Sequence, residues 1–191
     1  MIAQNWAGVL PRQNNEKSQS FEDFIAPVEA NLGANKSNYY LERDYNLETV
    51  IGKDGDVKHR LKINYINKSP SNTWPAGVYK NRMRIYLPFG TKLNKVLWGE
   101  TNITKDVSAF VDYGRSVFSL LLQLEPREAK ALILDYEVPG NINFDKGIGS
   151  YKLNVVKQAC ILKDPFVWRL TFPLNYRLVS SQDENLSPQE Q

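Results

Sequence analysis

An all-β fold is what this sequence predicts: a two-sheet antiparallel β-sandwich, immunoglobulin-like or jelly-roll-like, of about eight to nine strands. Three observations predict it. Apolar and polar residues alternate with period two in run after run. Clusters of Gly, Pro, Asn, Asp and Ser separate those runs at short intervals. Ten Tyr, eight Phe and four Trp supply the flat side chains that suit half-buried pleated sheets. No stretch shows a sustained helical period, and no internal repeat is visible.

The elements follow in order. Residues 1–24 read as an N-terminal extension and linker, with Gln13–Ser20 polar throughout. Phe21–Ile25 is too short to assign, Pro27 marks a transition, and Asn31–Asn38 reads as a loop rich in turn formers. A first strand over 39–50 places Leu41, Tyr45 and Leu47 on one face, with Arg43 among them. A second over 57–66 places Val57, His59, Leu61, Ile63 and Tyr65 on one face and Lys58, Arg60 and Lys62 on the other. If these two form a hairpin, apolar must face apolar, which sets Leu47 opposite Leu61 and Tyr45 opposite Ile63. The loop is then Lys53-Asp54-Gly55, with Gly55 in the left-handed position. Glu48 falls opposite Arg60 and Asn46 opposite Lys62.

Asn67–Gly77 is a Ser/Pro/Asn loop carrying Trp74. Strand 79–87 points Met83, Ile85 and Leu87 inward and Arg82, Arg84 and Tyr86 outward. Strand 93–98 follows, and Asp112-Tyr113-Gly114 is a turn. Strand 115–124 is the most apolar and reads as central. Its expected hairpin partner is 129–138, across the turn Glu125–Glu128. Strands at 151–158 and 166–172 and a short last strand at Leu178-Val179 complete the set. The β-sandwich domain is thus expected over 25–180, followed by a polar tail over 181–191.

A chain of 191 residues fits one domain and can bury a sizeable core. The net charge of +3 is too small to imply nucleic acid or a membrane surface. No apolar run approaches the ~20 residues that span a bilayer. The first residues lack a basic region followed by an apolar stretch, so they do not read as a signal peptide. That leaves open a cytoplasmic protein or a piece of a larger one.

Catalytic chemistry finds little footing. Nucleophilic catalysis of the Ser-His or Cys-His kind needs an imidazole, and the single histidine, His59, sits on the apolar face of a strand and reads as structural. The single cysteine, Cys160, reads as an inert buried thiol. One His and one Cys fall short of the three or four N/S ligands that zinc sites usually use. Asp54-Gly55-Asp56 lacks the spacing of a calcium loop and reads as a turn. Gly147-Ile148-Gly149 lies between strands, not before a helix, so it is no phosphate cradle. No catalytic residue, metal ligand or cofactor is therefore assigned. The candidate binding residues are Trp74, as a stacking platform or a plug of the sandwich end, and the rows Lys58, Arg60, Lys62 and Arg82, Arg84. If the two rows are neighbours they form a basic patch suited to an acidic polymer.

One family resemblance emerges. Val28–Tyr40, followed by a charged strand and Asp54-Gly55, resembles the C-terminal region of a bacterial domain-of-unknown-function family, number four-zero-one-two. Ile63–Asn67, Pro75–Tyr79, Arg84–Gly90 and Val155-Val156 before Lys157-Gln158 occur in the family's order, and Trp6-Ala7-Gly8 resembles the end of its preceding domain. Ala159–Leu162 departs from the family's small-residue turn. The resemblance implies an extracytoplasmic, cell-envelope fragment of a membrane-anchored protein and brings no activity with it. The expected role is a non-catalytic structural or protein-interaction module, its partner another envelope protein. The alternatives are a module binding cell-wall polysaccharide or anionic wall polymer, and an enzyme acting on wall polymer through carboxylates.

Overall fold

The computed structural model describes residues 20–144, 147–158 and 164–179. Among them lie eleven strands: β1 (Ser20–Asn31), β2 (Leu41–Ile51), β3 (Asp56–Asn67), β4 (Tyr79–Leu87), β5 (Lys92–Trp98), β6 (Thr101–Asn102), β7 (Ser108–Asp112), β8 (Arg115–Leu124), β9 (Ala129–Asn141), β10 (Ser150–Val155) and β11 (Phe166–Thr171). Sheet I has the order β10-β1-β4-β8-β7 and sheet II the order β11-β2-β3-β9-β5-β6. The two pack face to face as a β-sandwich. Ile25, Met83, Ile85, Phe118 and Leu120 of sheet I meet Leu47, Leu61, Ile63, Leu132, Leu134 and Tyr136 of sheet II in one buried core.

The β2–β3 hairpin has the expected register. Leu47 pairs with Leu61, Tyr45 with Ile63, and Glu48 with Arg60. Gly52 N donates to Asp56 O at 2.8 Å, closing the loop Lys53-Asp54-Gly55. Gly55 has φ +79, and a Cβ there would sit 2.4 Å from Ile142 O. A left-handed residue pressed against backbone admits only glycine.

Four expectations are corrected. The sheets are not purely antiparallel, because β10 runs parallel to β1 and β11 parallel to β2. Strands β8 and β9 are not a hairpin pair. β8 lies between β4 and β7 in sheet I, and β9 between β3 and β5 in sheet II. Apolar alternation cannot separate pairing side by side from packing face to face, since both bring apolar side chains together. Leu178-Val179 belongs to no strand. The segment read as linker and transition contains β1, whose inward face carries Asp23 and Glu29 among apolar neighbours and so breaks the period. β1 also changes partners along its length. Ser20–Ile25 pair with β10 and Ala26–Asn31 with β4.

Tyr86 faces outward as expected but is buried there, in a small cluster with Phe24, Ala26 and Val117. Its hydroxyl donates to Asp112 Oδ2 at 3.1 Å. Asp112-Tyr113-Gly114 is the expected turn, with Tyr113 and Gly114 both at positive φ as a type I′ hairpin requires. No described helix is long and apolar enough to cross a membrane. Cys160 and the tail over 181–191 lie outside the described residues.

Candidate functional site

The two sheets part at one end of the sandwich, where β1 leaves sheet I and β2 enters sheet II. The segment between them, Leu32–Tyr40, is pinned by asparagine side chains. Asn31 Oδ1 accepts from Gly33 N at 2.8 Å, and Asn31 Nδ2 donates to Asn38 Oδ1 at 2.6 Å. Asn35 Oδ1 accepts from Ser37 Oγ at 2.7 Å, and Asn35 Nδ2 donates to Val78 O at 2.9 Å. Short amide side chains that mimic backbone turns explain how an Asn-rich loop holds one shape. Lys36 N donates to Pro75 O at 2.7 Å and so locks this segment to the loop that carries Trp74.

Beneath these loops lies a cleft of about 1180 Å³. Its wall includes Glu29, Arg43, Asp164, Tyr79, Asp44 and Asn35, with Tyr39 and Lys36 at the rim. Glu29 and Arg43 form a close ion pair with side chains only 3% and 11% exposed. Arg43 Nε also donates to Asp164 Oδ2 at 3.0 Å. The Tyr65 and Tyr79 hydroxyls both donate to Glu29, the latter at 2.9 Å. Charges removed from water persist when paired and hydrogen-bonded, as here. Burial pushes the Tyr45 phenol up to about 12 and the Tyr65 and Tyr79 phenols above their ordinary range. All three stay protonated near neutrality. Four carboxylates, of Glu29, Glu42, Asp44 and Asp164, line the cleft against Arg43 and Lys36. The wall is acidic on balance.

Sequence reasoning noted Arg43 but missed its partners. Glu29 and Asp164 lie far from it along the chain, and no local spacing signals the contact. Trp74 is 75% exposed, so it does not plug the core, and Tyr39 is 86% exposed. The two candidate basic rows are not brought together. β3 and β4 belong to different sheets, so Lys58, Arg60 and Lys62 lie on the outer face of sheet II and Arg82 and Arg84 on that of sheet I. Lys58 pairs with Asp56 at 3.0 Å. Arg60 makes a two-pronged contact with Asp135 at 2.7 and 2.9 Å. Lys62 stands between Asn46 and Ile133.

A second polar cluster lies buried between the sheets. His59 Nδ1 is 3.0 Å from Thr49 Oγ1, and His59 Nε2 is 2.9 Å from Asp23 Oδ2, a contact not aligned as a hydrogen bond. Trp168 Nε1 donates to Thr49 Oγ1 at 2.9 Å, and Tyr151 OH donates to Asp23. The His59 ring stacks on Tyr136 at 4.8 Å. The sequence Asp–His–hydroxyl is that of a hydrolase triad. Here, however, Thr49 is 0% and Asp23 1% exposed, so no substrate reaches the hydroxyl. The cluster is a polar tie between sheets, in keeping with a structural histidine. Among the described residues no group of three or more His, Cys, Asp or Glu is placed to hold a metal.

No family model matches the chain, and no curated protein does. Solved structures share parts of it. A substrate-bound M1 zinc metallopeptidase from Deinococcus radiodurans aligns over 54% of this chain and 21% of its own, at 15% identity and a TM-score of 0.31. A candidate nutrient-binding protein from Legionella pneumophila aligns over 60% of this chain and 43% of its own, at 8% identity and a TM-score of 0.39. The chain thus spans about a fifth of the first protein and under half of the second. Likeness at this level carries no functional argument.

Proposed function

We propose that this chain is a non-catalytic binding module of a bacterial cell-envelope protein, and that its end cleft takes a polyhydroxylated ligand of the carbohydrate class. The envelope setting rests on the sequence resemblance. The observation that carries the ligand class is the exposed Tyr39 ring in the lining of a polar cleft, with the exposed Trp74 on the neighbouring loop that Lys36 N joins through Pro75 O. Sugars present an apolar face that stacks on aromatic rings and hydroxyls that need fixed donors and acceptors. Arg43, Asp164, Asp44 and Lys36 supply the latter. Both Glu29 oxygens are already engaged by Tyr65, Tyr79 and Arg43. That commits this carboxylate to holding the cleft in shape and argues for binding over acid–base chemistry.

Titration with soluble wall-type oligosaccharides, followed by Trp fluorescence and by chemical-shift changes, tests the reading. Saturable binding is expected, weakened up to about tenfold by Trp74→Ala or Tyr39→Ala, the worth of a good ring contact. Absence of saturable shifts at the cleft with neutral and amino-sugar oligomers alike would overturn it and leave the structural or protein-interaction role.

A further inference from the structure

We infer that the outer face of sheet I is a separate binding surface for a linear phosphodiester polyanion, laid along β4. Lys80, Arg82 and Arg84 alternate on the outward side of this strand. Residues two apart on a strand stand about 6.8 Å from one another, so the three cations form a row about 14 Å long. The neighbours across the sheet carry no charge. Arg82 lies between Ala30 and Leu121, Arg84 between Val28 and Ser119, and Lys80 opposite Gln123. Among the described residues none of the three makes an ion pair. Arg84 stands beside the Tyr86 hydroxyl, which donates to Asp112. The β3 row provides the internal contrast, since Asp56 and Asp135 meet two of its three cations.

An unbalanced row one residue wide, in mid-sheet and bordered by uncharged side chains, fits a linear chain with one negative charge per repeat. A membrane plane would be met by charges spread over the face. An acidic peptide would gain most from a free strand edge, and β4 has none, being paired on both sides. Guanidinium groups grip phosphate two-pronged, which favours phosphodiester over carboxylate repeats.

The test uses the whole chain and a synthetic glycerol-phosphate oligomer, titrated at low and at physiological ionic strength. Binding is expected, with a log–log salt slope of about −2, from roughly 0.7 per phosphate neutralised at three sites. Lys80→Gln/Arg82→Gln/Arg84→Gln should lower affinity at low salt by about tenfold or more and flatten that slope. Lys58→Gln/Arg60→Gln/Lys62→Gln, which removes the same charge from the other face, should leave affinity within about twofold. All six side chains point outward, and thermal unfolding of both variants is the check that they fold. Equal losses in the two variants would show a net-charge effect and overturn the inference. So would tighter binding of phosphatidylglycerol vesicles or of an acidic peptide through the same residues. Tyr39→Ala and Trp74→Ala should not alter this affinity, so the cleft reading and this one fail separately.

Discussion

The Glu29 carboxylate of sheet I and the Arg43 guanidinium of sheet II form an ion pair that ties the two sheets together at the cleft end. Neither side chain is more than 11% exposed. Removing one partner strands the other out of water. Arg43→Met leaves Glu29 and Asp164 without their shared cation and should cost about 3–5 kcal/mol of stability. Glu29→Gln keeps an acceptor oxygen for one of the two tyrosine hydroxyls and should cost about 2 kcal/mol. Urea unfolding of both variants checks the order; a smaller loss for Arg43→Met would contradict this arrangement.

The buried phenols set a limit on alkaline stability. Tyr45 rises from 10.0 to about 12, chiefly because burial disfavours phenolate. A group whose pKa is higher folded than unfolded contributes fully below the unfolded value and loses that contribution as pH climbs towards the folded one. Stability should therefore be level with respect to Tyr45 below pH 10 and fall between pH 10 and about 12. The slope is about 1.4 kcal/mol per pH unit from this residue alone. Tyr65 and Tyr79, shifted the same way by burial, steepen it. Denaturant midpoints across that range, with Tyr45→Phe as the control that lessens the slope, provide the measurement.

Thr49 is the joint of the buried tie, meeting both His59 and Trp168. Thr49→Val keeps the shape and removes both contacts. The expected cost is about 2 kcal/mol, at about 1 kcal/mol per hydrogen bond. Trp168 emission should shift with it. A fluorophosphonate probe should leave Thr49 unmodified in the folded protein, and labelling there would refute its burial.

Two glycines at similar φ should answer differently to alanine. Gly55→Ala forces a Cβ to within 2.4 Å of Ile142 O, whereas Gly114, at φ +67, has open space around it. Gly114→Ala should cost about 1 kcal/mol from the left-handed backbone alone. Gly55→Ala should cost clearly more and disturb the packing of Ile142. Thermal unfolding of the two variants side by side decides this.

The sequence disclosed what local pattern can disclose. Period-two alternation located most strands, and Leu47, Leu61 and Gly55 together specified one hairpin to the residue, because a slip by one would turn every side chain to the wrong face. It could not place β8 and β9 in opposite sheets, because an apolar face satisfies a neighbour above it as well as one beside it. β1 escaped notice because Asp23 and Glu29 occupy inward positions where the pattern expects apolar residues. Those two break the rule because each ties the sheets together, through His59 and Arg43. Polar ties of this kind have partners distant along the chain, so the cleft they frame had no local signature. Its rim was partly legible, in the turn-forming Asn31–Asn38.

The parallel strands β10 and β11 sit close together near the end of the described chain, yet one borders sheet I and the other sheet II. During synthesis both borders therefore stay open until β10 and β11 have left the ribosome. Until then Ser20–Ile25 and Tyr45–Val50 have unpaired backbone along one side, which is a template for association between nascent chains. The same two strands act as a late clasp. Contacts between segments far apart in sequence form slowly, so a late step of folding completes both layers nearly at once, and removing these two strands would expose an edge on each.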